Sequence, residues 1–112
     1  MCTPLQLKMI TKDMVDCYRS FFGDRIVGIF LYGSYARGDY NSESDIDITA
    51  VVRGQRVELQ NTLKKIWDYS ADVGLEHDVV ISPTVIPFDE YEKYKDSLPY
   101  YMNIEREGKQ IG

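Results

Sequence analysis

Apolar side chains near the start of the chain recur at helical spacing. Ile10, Met14, Cys17, Tyr18 and Phe21, with polar residues between them, predict a helix over residues 5–22. Gly23-Asp24 ends it, with glycine where a left-handed cap is usual. The period then changes: residues 26–32 are β-branched or aromatic almost throughout and predict a buried strand. Gly33-Ser34 breaks that strand, Ser34 is placed to N-cap a short helical turn through Arg37, and residues 38–42 have the composition of an exposed loop. Residues 45–52 predict a second strand with Ile46, Ile48 and Ala50 on one face. Leu59, Leu63, Ile66 and Trp67 then predict a helix over residues 56–70, with Lys64, Lys65 and Asp68 facing water. Beyond Gly74, residues 76–81 predict a third strand, closed by Ser82-Pro83. Two further helices follow, a charged one over 88–97 and a short one over 99–108 that ends at Gly108.

This order predicts an α/β (α+β) fold, a small mixed β-sheet with helices packed mainly on one face, in a single domain over residues 1–112. The strands on either side of residues 38–42 are too far apart for a tight hairpin, so they are expected as neighbours in either direction. At 44% hydrophobic and 28% charged, the chain can build a real core. No apolar stretch is long enough to span a bilayer, and the N-terminus lacks the pattern of a secretory signal, so a cytoplasmic, membrane-free location is expected. Cys2 and Cys17 have no metal-ligand spacing, and Cys17 reads as a small core residue. The net charge of −5 and the scattered basic residues disfavour a long nucleic acid as substrate.

The candidate chemistry lies between the first two strands. Asp45 and Asp47 stand two apart, so both carboxylates share one strand face while Ile46 and Ile48 point into the core. Aspartate is depleted in strands, and a pair of them inside Ile/Ala/Val-rich sequence needs a reason. Gly33-Ser34, separated from Asp45 by ten residues, can offer backbone N–H groups and a hydroxyl to phosphate oxygens. Arg37, one helical turn later, is within reach of a β- or γ-phosphate, although an exposed surface charge explains it equally well. Asp78 is expected at the start of the third strand as the third carboxylate, a metal ligand and general base, with Glu76 of the same parity as the alternative. Two magnesium ions roughly 3.5–4 Å apart, held by such carboxylates, suit chemistry on a nucleoside triphosphate. His77 faces away from Asp78 and reads as a structural or surface residue. Tyr91, Tyr94, Tyr100 and Tyr101 read as a helix-packing layer or as a partner-binding surface.

The run Gly33-Ser34-Tyr35-Ala36-Arg37-Gly38-Asp39, ending in Ser44-Asp45-Ile46-Asp47, resembles the Gly-Ser, ten residues, Asp-x-Asp motif of the polymerase-β-like nucleotidyltransferase superfamily. The Ala-Arg-Gly inset, and Asn103 to Gly108 near the C-terminus, are similar to its small single-domain branch, the minimal nucleotidyltransferases. The resemblance covers most of the chain. It implies magnesium-dependent transfer of a nucleoside monophosphate from a triphosphate such as ATP to a hydroxyl, with release of pyrophosphate. Gly33 and Ser34 would hold the phosphates, Asp45 and Asp47 the metals, and Asp78 would complete the metal site. It further implies an antitoxin role beside a HEPN-domain toxin, with a partner tyrosine as the adenylylated group. Two alternatives stand beside this reading: a binding module that blocks its partner by occlusion, and nucleotidylation of a small hydroxylated molecule such as an aminoglycoside. For the latter the chain has no room for an acceptor domain, so an oligomer or a partner chain would complete the cleft.

Overall fold

The computed structural model describes residues 2–112. Helix α1 (Pro4–Phe22) is opened by a capping box, in which Thr3 accepts from the Gln6 amide and the Gln6 side chain accepts from the Thr3 amide. It closes at Gly23 (φ 58), where an L side chain would be strained. A 3-10 turn (Gly23–Arg25) leads into strand β1 (Ile26–Tyr32), then the four-residue helix α2 (Ser34–Arg37) and strand β2 (Ile46–Val52). The N-cap of α2 is Gly33 rather than Ser34, and no side chain caps it.

Strands β1 and β2 are antiparallel neighbours, Ile29 opposite Ala50 and Tyr32 opposite Asp47. The next helix, α3 (Arg56–His77), runs past the expected end at residue 70 and straight through Gly74. That glycine is a point of contact rather than a breaker: a Cβ there would lie 2.6 Å from the Val79 carbonyl oxygen. In consequence Glu76 and His77 are helical, and Asp78 is the left-handed cap (φ 55, ψ 48) of α3, not a strand residue. Strand β3 (Ile81–Pro87) begins where the third strand was expected to finish, and it pairs parallel to β2 with Ile46 beside Ile81 and Asp47 beside Ser82. Its prolines are tolerated because β3 is an edge strand, in the order β3-β2-β1-β4. Helices α4 (Phe88–Tyr94) and α5 (Pro99–Glu107) follow, and the two-residue strand β4 (Lys109–Gln110) closes the sheet antiparallel to β1. Gly108 ends α5 in an extended conformation, not a left-handed one.

The larger core lies on one face of the sheet. Ile46, Ile48, Ala50 and Val52 of β2 meet Ile10, Met14 and Tyr18 of α1 and Leu59, Leu63 and Ile66 of α3. The other face carries a smaller cluster, Val51, Ile86, Tyr91, Tyr101 and Ile104, under α4 and α5. Trp67, expected among the buried residues of α3, is 48% exposed. Among the described residues, no helix is long and apolar enough to cross a membrane.

Candidate active site

Alternation along β2 sends Ile46, Ile48 and Ala50 into the larger core and turns Asp47, Thr49 and Val51 toward the opposite face. Asp47 is half-buried there, whereas Asp45, one residue before the strand, is exposed. Gly33 sits at φ 74, ψ −154, a conformation open essentially to glycine alone. A Cβ on Gly33 would lie 2.5 Å from Asp47 Oδ2, so the Gly-Ser turn is pressed directly against this carboxylate. The Gly33-Ser34 turn and the Asp pair thus form one continuous surface, because Tyr32, the residue before Gly33, is the cross-strand partner of Asp47.

Burial raises the Asp47 carboxyl above the usual range, the neighbouring Asp45 charge adds to this, and Arg37 partly opposes both. Two crowded carboxylates of this kind are hard oxygen donors that a magnesium ion would relieve, so the residues present fit that ion. Arg37 is exposed and held by Asp39 (Nε to Oδ2 3.2 Å) and by Glu107 at the end of α5 (Nη1 to Oε2 3.4 Å).

Asp78 is not brought beside this pair. It lines a cleft of about 330 Å³ with Tyr35, Ser42, Glu43, Ser44 and the end of α3. On β3 the residue in register with Asp47 is Ser82. Glu76 is exposed in the last turn of α3, and among the described residues no three His, Cys, Asp or Glu side chains gather into a metal cage.

The structure adds a hydroxyl cluster on the Asp47 face that the motif does not announce. Tyr100 of α5 lies 3.0 Å (Oη to Oη) from Tyr32 and 3.3 Å from Thr84 Oγ1, and Thr84 is the register partner of Thr49. Thr49 is fully buried, with no hydrogen-bond partner for its Oγ1 among the described residues. Burial, the bond to Tyr100 and the nearby Asp47 charge push the Tyr32 phenol well up. Strand parity alone marks Thr49 as sharing the Asp47 face; Tyr32 joins it through the register of β1 with β2, and Tyr100 through the packing of α5.

A profile of the nucleotidyltransferase domain family matches residues 12–110. The chain belongs to the nucleotidyltransferase domain family. Within it, two proteins of Methanocaldococcus jannaschii are similar to this one. "Putative protein adenylyltransferase MJ0604" is 34% identical over 98 residues, covering 88% of this chain and 90% of its own. "Putative protein adenylyltransferase MJ0141" is 29% identical over 97 residues, covering 80% of this chain and 96% of its own. Among solved structures, a toxin–antitoxin with AMP-PNP superposes with a TM-score of 0.55 at 17% identity, covering 89% of this chain and 70% of that one. A mutant of the toxin–antitoxin MntA-HpeT also gives 0.55, at 15% identity, covering 89% and 70%. This nucleotidyltransferase therefore has the mixed α/β fold of those structures.

Proposed function

We propose that this nucleotidyltransferase uses magnesium and ATP to transfer AMP to a tyrosine hydroxyl of a HEPN-type toxin, and so serves as the antitoxin of the pair. The observation that carries the chemistry is the contact of Gly33 with Asp47, which joins a phosphate-binding turn to a carboxylate pair. Support for a protein acceptor comes from the relatives named as protein adenylyltransferases. Support for the antitoxin role comes from the fold shared with chains of toxin–antitoxin structures.

In this reading Gly33 lets the triphosphate approach the backbone, and the Ser34 hydroxyl binds a phosphate oxygen. Asp45 and Asp47 hold magnesium, which when bound supplies Lewis-acid stabilisation of charge on the phosphates. The acceptor oxygen bonds to the α-phosphorus, the bond to the bridging oxygen breaks, pyrophosphate leaves, and the acceptor's hydroxyl proton passes to water. Arg37, released from Asp39 and Glu107, pairs with the β- or γ-phosphate. The exposed Asp78 lines a cleft with Tyr35 and Ser44 and contributes less than Asp45 or Asp47.

The test is to incubate the purified chain and its partner with magnesium and ATP labelled at the α-phosphate. Label moves to the partner's tyrosine and is lost in Asp45→Asn and Asp47→Asn. If the double variant still neutralises the partner, the chain works by occlusion instead.

A further inference from the structure

We infer that Tyr100 is itself an acceptor, and that the chain attaches a nucleoside monophosphate to its own Tyr100 hydroxyl. The inference rests on the transfer chemistry proposed above and adds a modification site to it. Tyr32 lies directly opposite Asp47 in the β1–β2 pair, so both side chains stand on one face of the sheet. The Tyr100 hydroxyl, 3.0 Å from that of Tyr32 and 3.3 Å from Thr84 Oγ1, is fixed on this same face. Its ring is steadied by edge contacts with Tyr32 (5.8 Å between centroids) and Tyr101 (5.6 Å). Yet Tyr100 is 43% exposed, whereas Tyr101 beside it is buried and supplies the packing of α5. Tyr100 is thus a phenol presented to the carboxylate face, oriented but not enclosed, which is the disposition of a group that reacts.

The step balances without an external oxidant or reductant. The Tyr100 phenolic oxygen bonds to the α-phosphorus of the bound nucleoside triphosphate, the bond to the bridging oxygen breaks, pyrophosphate leaves, and the phenolic proton passes to water. The product is a phosphodiester on the N-terminal turn of α5. It places an anionic nucleotide over the surface that an incoming acceptor hydroxyl would use, so the modified chain serves an external acceptor more slowly.

The experiment uses the full chain alone, with magnesium and ATP labelled at the α-phosphate, and follows released pyrophosphate in the same tube. We expect one label per chain at saturation, on the peptide that carries Tyr100. The fraction labelled per unit time should not change with chain concentration, as an intramolecular step requires. Tyr100→Phe keeps both ring contacts and loses the label. Asp47→Asn keeps Tyr100 and also loses it, while Tyr69→Phe on α3 retains it. Pyrophosphate release with Tyr100 unmodified, or with label on another residue, overturns the inference and leaves the transferase reading standing. Absence of both label and pyrophosphate likewise overturns the inference, while the transferase reading stands or falls on the assay with the partner.

Discussion

The distance of 2.5 Å between an added Cβ at Gly33 and Asp47 Oδ2 makes position 33 the most sensitive single residue of the site. Gly33→Ala combines that clash with a glycine-only backbone, at a cost of ~1–3 kcal/mol from the backbone alone. A denaturation midpoint will report the lost stability, and label transfer should fall further than the lost stability explains because Asp47 must move. That Asp47 faces away from the core-directed Ile46 and Ile48 was legible in the sequence, since period-two alternation needs no tertiary knowledge. Asp78 was not. Its expected place on a strand depended on Gly74 ending the helix before it, whereas Gly74 is the close approach that lets α3 continue to His77. Asp78→Asn is accordingly expected to keep most of the label transfer that Asp47→Asn abolishes, in a side-by-side assay with ATP labelled at the α-phosphate.

At the scale of elements, α3 and α4 are joined across the sheet edge by Arg56 and Glu90. The guanidinium donates twice, from Nε to Oε1 at 3.0 Å and from Nη2 to Oε2. The Arg56 hydrogen bond holds the Glu90 carboxyl below the usual glutamate range, helped by the Arg56 charge and a bond from Tyr101. A carboxyl lowered by folding contributes stability above its unfolded pKa, and that contribution is lost as pH falls through the folded value. Glu90→Gln should therefore cost ~0.2–1 kcal/mol at neutral pH, as for an exposed pair, and progressively less as pH falls through the folded Glu90 value, read from urea midpoints across a series of acid pH values. Helix α5 matters more. Ile104 is 1% exposed, and Ile104→Ala is expected to cost ~2–5 kcal/mol while loosening the helix that carries Tyr100.

At the scale of the whole molecule, the sheet separates two tasks. One face holds the larger core under α1 and α3, and the other holds Asp47, the hydroxyl cluster and the smaller core under α4 and α5. A ligand that binds only the folded chain must raise its stability by mass action, ~2.7 kcal/mol at a hundredfold excess over Kd. Magnesium with AMP-PNP should therefore raise the melting temperature of the wild-type chain and leave that of Asp45→Asn/Asp47→Asn unchanged. By itself the sequence determined, within a residue, the helix found at 4–22 and the strands found at 26–32 and 46–52, with the Gly-Ser turn after the first strand and the Asp pair at the start of the second, because each depends on local periodicity or on residues close in the chain. Only the tertiary structure decided the strand at 81–87 and the position of Asp78, since an edge strand tolerates prolines and a buried glycine can serve contact instead of ending a helix. It alone also decided that Tyr100, far along the chain, stands on the face of Asp47. Contacts between distant segments follow from which faces are buried together, and no local pattern encodes that choice.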